Sequence, residues 1–291
     1  MVSVGGDREA VRFSIMDPTG NITALVESDV PVPEQLSIAK SIMCLHPEVE
    51  QVGFVRFWEA CDESGAQGSL RMAGGEFCGN ATMCAAALLM VRNHPYGTDG
   101  AANSQTLVRL WVSGAERPVE VRLHQIAGDS YEADVRMPAA LSIEDELLPF
   151  GEAQERLPLV RMGGISHLVI DETSSLFWLR DAPSDAERAV RLWCDALGAD
   201  GLGLMFVEGE GQERLVRPLV YVPAGDTVFW ESSCASGSSA VGMYLSAKME
   251  AAVSLELEEP GGTLRVASDP ITGETWLSGS VRLTQEGLIE A

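Results

Sequence analysis

Hydrophobic and polar positions alternate through much of this chain, and only a few stretches take a helical period. Val11-Arg-Phe-Ser-Ile-Met16 alternates as a half-buried strand does. It breaks at Asp17-Pro-Thr-Gly-Asn21, where Pro, Gly and Asn favour a turn, and resumes at Ile22–Val26. The pattern predicts a hairpin with Asn21 at its tip. Pro33–Cys44 places Ile38, Ile42 and Met43 on one helical face, and Val52–Trp58 returns to strand. Ser69–Met72 leads into Ala73-Gly-Gly-Glu-Phe-Cys-Gly-Asn80 and a predicted helix over 81–91. Strands follow at 106–112 and 119–123. After a turn at Gly128-Asp129 a second series begins, with strands at 131–137, 167–170 and 215–221 and a helix at 186–196. A small-residue loop, Glu231-Ser-Ser-Cys-Ala-Ser-Gly-Ser-Ser239, opens another helix at 240–249, before strands at 252–257, 263–266 and 276–283.

The two series resemble each other. With Cys78 set against Cys234, Gly79 faces Ala235, Asn80 faces Ser236, Ala81 faces Gly237 and Thr82 faces Ser238, and both runs continue into an apolar helix. This duplication predicts two similar α/β units. A cysteine just before a helix lies among unpaired N–H groups at the positive end of the helix dipole, which favours thiolate. Small residues after it let a substrate carboxylate approach the same N–H groups. Two such ends facing each other suit proton exchange at a carbon between carboxylate and ammonium. One thiolate removes the α-proton and a thiol on the opposite face supplies another. Cys44, Cys61, Cys84 and Cys194 read as ordinary apolar side chains.

Composition narrows the chemistry. With 43 acidic against 20 basic residues the net charge is −23, which repels nucleic acid and anionic membranes. The longest apolar run, Met83–Val91, is about half of a membrane span. The start, with Asp7, Arg8 and Glu9, lacks the apolar core of a secretory leader, so a cytoplasmic protein is expected. No CxxC pair occurs, and His46, His94, His124 and His167 have no zinc-ligand spacing, so no metal site is expected. Only Lys40 and Lys248 are available as Schiff-base lysines, which points away from pyridoxal phosphate, and no cofactor is expected. The expected partner is a small amino-acid substrate, and a homodimer is compatible with the sequence.

Phe77-Cys-Gly-Asn-Ala-Thr-Met-Cys84 and Ser233-Cys-Ala-Ser-Gly-Ser238 resemble the two cysteine motifs of the diaminopimelate epimerase-like superfamily. The resemblance extends to Phe13–Asn21, Gly164-Ile-Ser-His167 and Leu277–Val281, nearly the whole chain in order. It implies an α/β (α+β) fold of two pseudo-symmetric domains, each a β-barrel-like sheet around a central helix, with the active site in the cleft between them. Residues 1-128, with a returning strand at 279-291, would form the first domain and 129-278 the second. The resemblance implies Cys78 and Cys234 as the two bases. Gly79, Asn80, Ala235 and Ser236 would bind the substrate carboxylate, with Asn21 and His167 near the pocket. Where diaminopimelate epimerases carry polar groups for the distal end of their substrate, this chain has Ser69, Ile165, Gly201, Gly225 and Asp226. A site without those partners discriminates poorly for a second zwitterionic end. The pattern is closer to histidine racemases, with 2,4-diaminobutyrate the second choice of substrate and Phe229 and Trp230 as candidate pocket walls. The alternatives are a proline or hydroxyproline racemase, a diaminopimelate epimerase, and, outside the enzymes, a thiol redox or binding protein.

Overall fold

The computed structural model describes residues 10–93 and 105–290. The amino-terminal residues read above for a leader, and His94, lie outside the described residues. The first half contains Ala10–Pro18 (β1), Thr23–Val26 (β2), Val32–Leu45 (α1), Gln51–Phe57 (β3), Gly68–Met72 (β4), Gly79–Asn93 (α2), Thr106–Val112 (β5), Val119–Ala127 (β6) and Ser130–Met137 (β7). The second contains Ser142–Phe150 (β8), Ala153–Arg161 (β9), Ser166–Asp171 (β10), Pro183–Leu197 (α3), Leu202–Glu208 (β11), Glu213–Val222 (β12) and Thr227–Trp230 (β13). Ala235–Met249 (α4), Val253–Glu259 (β14), Gly262–Asp269 (β15) and Glu274–Glu290 (β16) complete it.

The strands form one mixed ladder in which β16 is the shared member. Its first part pairs with β15 and β7, and its second part pairs with β1. The β1–β16 pairing closes β1 to β7 and β16 into a barrel-like sheet around α2. From β16 the ladder continues through β15, β14, β12, β11, β10, β9 and β8, and α4 packs on much of that stretch. Strand β7 pairs with β6 and β16 and packs on α2, so the ladder crosses the expected boundary at residue 128 without a break.

The central helices are apolar on all sides, as enclosure demands. Every residue from Gly79 to Leu89 is buried, and Ala81 with Ala85, Ala86 and Ala87 keeps α2 narrow enough for strands to surround it. In α4 the run Ala235–Met243 is buried, and its Ser239 hydroxyl is satisfied by Ala235 O at 2.8 Å. The outer helix α3 is amphipathic instead. Its buried Ala186, Ala189, Val190 and Trp193 recur at helical spacing, and polar residues face solvent.

Both helices that follow the cysteines begin earlier than the apolar pattern suggests, α2 at Gly79 and α4 at Ala235, so each cysteine stands immediately before its helix. The hairpin of β1 and β2 forms, but Thr19 (φ 56°) and Gly20 (φ 90°) take the left-handed positions. Asn21 is turned inward. The hairpin of β8 and β9 and the strand β11 escaped the sequence reading. Strand β8 lies at the end of the ladder, where Glu144, Asp145, Glu146 and Pro149 are tolerated. Strand β11 is buried throughout its first six residues, pairs in parallel with β10, and so shows no alternation.

Candidate active site

The duplicated loops place two thiols at two helix starts that touch. Cys234 is the residue before α4, with extended backbone (φ −129°, ψ 98°). In each loop the cysteine carbonyl accepts the first helical hydrogen bond, from Thr82 N–H at 3.0 Å and from Ser238 N–H at 2.8 Å. Each sulfur also faces the N–H three residues on. Ala81 N–H donates to Cys78 Sγ at 3.3 Å, and Gly237 N–H, the matching group, favours the Cys234 thiolate. A methyl group at Gly79 would lie 2.8 Å from Ala235 Cβ, so only glycine lets the two helix starts meet. A Cβ at Gly237 would sit 2.3 Å from Met205 Sδ, so the methionine end would have to shift to admit one. Asn80, 1% exposed, ties the halves together by donating to Ser233 O at 3.0 Å.

Beyond these shared features the two thiols have different neighbours. The Cys78 thiol donates to Gln51 Oε1 at 3.0 Å. Gln51 Nε2 in turn donates to Asn21 Oδ1 and to Thr23 Oγ1. Asn21, also 1% exposed, donates to Glu50 Oε2 at 2.7 Å, and Glu50 accepts Ser232 N–H from the other half. Around Cys234, the main-chain N–H donates to Glu259 Oε2 at 2.7 Å, and Ser238 Oγ donates to Glu259 Oε1. Cys234 Sγ lies 3.7 Å from Ser236 Oγ, which is 3.0 Å from His167 Nε2. His167 is fully buried, and burial lowers its pKa to about 3, so the imidazole is neutral. Its Nδ1 faces Gly203 and has no hydrogen-bond partner.

The electrostatics correct one expectation. Helix starts were expected to favour thiolate, yet here the thiols are held protonated. Burial pushes Cys78 up to about 12, with the Glu231 and Glu76 charges adding to it and the Ala81 N–H opposing. Burial, then Glu231 and Glu259, raise Cys234 well above its ordinary value. The carboxyls respond in kind. Burial raises Glu231 and Glu259 to about 8 each and also raises Glu50 and Glu76. The dipole contribution at a helix start is modest, and desolvation of a buried anion outweighs it.

The residues expected to act as bases or to bind the carboxylate, together with Asn21 and His167, thus fall in one connected region. Cys78, Gly79 and Asn80 open α2, while Cys234, Ala235 and Ser236 open α4. Asn21 lies behind Cys78 and His167 behind Cys234. Trp230 lies elsewhere, half-buried and stacked on Phe206 at 5.9 Å against the core beneath α3. Gln51 and the carboxylates Glu50, Glu76, Glu231 and Glu259 were missed. Glu76 and Glu231 stand two and three residues before their cysteines, a signal the sequence did offer. No three His, Cys, Asp or Glu side chains converge as a metal ligand set among the described residues. A groove of about 640 Å³, lined by residues such as Asp17, Tyr131, Arg265 and Arg282, opens beside β16, and neither cysteine lines it.

The same fold occurs in a probable proline racemase from Agrobacterium radiobacter, with TM-score 0.67 and 13% identity over 96% of this chain and 92% of that one. The barrel-like α/β sheet is therefore the fold of that probable racemase. The chain belongs to the family described as the histidine racemase CntK N-terminal domain, whose profile matches residues 10–289. It is similar to the histidine racemase of Staphylococcus aureus, 28% identical over 90% of each chain. It is also similar to that of Fusobacterium nucleatum, 27% identical over 97% of each. It is a histidine racemase-like amino-acid racemase, an isomerase. No helix among the described residues is long and apolar enough to cross a membrane.

Proposed function

We propose that this protein interconverts the enantiomers of histidine, without an added cofactor, by proton exchange between the α-carbon and the thiols of Cys78 and Cys234. The observation that carries the reading is the meeting of two helix starts at Gly79 and Ala235, with a thiol beside each. A substrate carboxylate bound by the N–H groups of Gly79, Asn80, Ala235 and Ser236 gains from two helix dipoles. The charge that builds on that carboxylate as the α-proton leaves is stabilised by the same groups. The pseudo-symmetric lobes around α2 and α4 are two domains, and the substrate lies in the cleft between them. Cys234 is 4% exposed, so the lobes part to admit substrate.

The carboxylates account for how a protonated thiol becomes a base. Glu231 lies close enough to Cys234 for its charge to raise the thiol, and its carboxylate accepts the thiol proton. The substrate's ammonium, and its imidazole when protonated, bring positive charge among Glu50, Glu76 and Glu231, which lowers the cost of a thiolate beside them. Cys234 thiolate then removes the α-proton from one face while the Cys78 thiol supplies a proton on the other. The reverse direction exchanges the roles. The relatives named for histidine support this substrate over the 2,4-diaminobutyrate alternative.

The test is chiral chromatography of single L-amino acids incubated with the purified, dialysed protein. Histidine is expected to reach an equal mixture of enantiomers, with diaminopimelate and proline left unchanged. Turnover of diaminopimelate or proline, with histidine inert, would overturn the substrate assignment.

A further inference from the structure

Strand β14 alternates cleanly, with Leu255 and Leu257 pointing inward and Ser254, Glu256 and Glu258 outward. The next inward position carries an acid. Glu259 is 4% exposed and forms no ion pair with Lys or Arg among the described residues. A carboxyl buried at a register where its strand otherwise places leucine is costly unless its hydrogen bonds and charge are used. Both of its oxygens are committed to the start of α4, one to Cys234 N–H at 2.7 Å and the other to Ser238 Oγ.

Resting on the two-thiol reading above, we propose that Glu259 is a positioning residue for Cys234. Its carboxyl group fixes the cysteine main chain at the helix start and places beside the thiol a negative charge that appears or disappears with pH. It does not touch the reacting sulfur. The groups facing Cys234 come from several elements. They are Glu231 from the loop before α4, Glu259 from β14, and neutral His167 from β10 through Ser236, with Glu50 reaching the preceding loop through Ser232. Among these, Glu259 alone grips the cysteine backbone. Because burial holds Glu259 at about 8, it gains its charge near neutral pH and thereby opposes a second negative charge on the thiol.

Glu259→Gln separates charge from hydrogen bonding, because the amide oxygen can still accept from Cys234 N–H while Nε2 faces Ser238 Oγ. The alkylation rate of Cys234 by iodoacetamide, followed by peptide mass spectrometry across pH in the full chain, reads the thiol directly. In Glu259→Gln the midpoint for Cys234 should fall by about one pH unit, and that of Cys78 should stay in place. Glu259→Leu removes the acceptor altogether and should lower kcat by roughly 10–10²-fold with little change in KM, as misplacement of a reacting group does. Superimposable alkylation curves for Cys234 in wild type and Glu259→Gln would overturn the proposal. Cys234→Ser distinguishes the two levels. If it is inactive while the Glu259→Gln curve is unshifted, only the role of Glu259 fails. If it racemises at the wild-type rate, the two-thiol reading fails and the role of Glu259 in the reaction falls with it.

Discussion

Cys78 and Cys234 share a backbone and little else. In both loops the cysteine precedes a buried helix, its carbonyl takes the first helical hydrogen bond, and its sulfur faces the N–H of the third helical residue. Around that shared frame, Cys78 is half-buried and donates to the neutral amide of Gln51, whereas Cys234 is buried between Glu231 and Glu259. Duplication thus supplies equivalent geometry, and the residues brought in by other strands make the two thiols chemically unequal. Cys234, with the Glu231 charge beside its thiol, is equipped to lose a proton to the protein. Cys78, facing an amide acceptor and an N–H donor, is equipped to keep one until the substrate takes it.

The largest effect should come from removing either sulfur. Cys78→Ser and Cys234→Ser are each expected to lower the racemisation rate by at least ~10²-fold, the contribution of a positioned acid or base. Cys84→Ser, in the core of α2, should leave the chemistry intact. Steady-state rates from both enantiomers check this, and near wild-type turnover by either of the first two variants would contradict it.

A smaller effect tests the asymmetry itself. If Glu231 must be ionised to accept the Cys234 proton, the rate should rise with pH through about 8, where burial holds that carboxyl. Glu231→Gln should lose about 10-fold or more in rate and with it that rise, in keeping with removal of a general base. A pH–rate profile of unchanged shape in Glu231→Gln would show that the two thiols are not distinguished in this way.

The smallest effect is on stability. Glu231 and Glu259, raised to about 8 from an ordinary 4.5, keep a proton in the folded protein that the unfolded chain has already released. Their contribution is full below the unfolded value and is lost as pH climbs toward 8. His167, lowered to about 3 from 6.5, works in the opposite direction but only below 6.5. Between about pH 6.5 and 8 the urea midpoint should therefore fall. The double variant Glu231→Gln, Glu259→Gln should flatten that slope, and an equal slope in both proteins would contradict the assigned direction.

Much of this site was legible in the sequence because the cysteines are local features, each set in a loop of small residues before an apolar helix. Asn21 and His167 were legible only through the family resemblance. Pattern alone reads Asn21 as an exposed turn tip, whereas the turn uses Thr19 and Gly20 and buries Asn21 against Glu50 and Gln51. The carboxylates were harder to find because their meaning depends on contacts between the halves: Glu50 is on the first and reaches Ser232 on the second. Glu259 had a local signature, an acid at the inward register of an otherwise alternating strand. The hairpin of β8 and β9 had none, since an acidic edge strand reads like a loop.

The central claim, proton exchange by two thiols on opposite faces, is tested most directly by converting L-histidine in D₂O and analysing the first few per cent of product by NMR and mass spectrometry. If one sulfur removes the α-proton while the other delivers a solvent-derived one, early D-histidine should carry deuterium at the α-carbon. The remaining L-histidine should stay largely protonated. Early D-histidine that retains the original α-proton would mean a single base serving both faces and would contradict the assignment of Cys78 and Cys234.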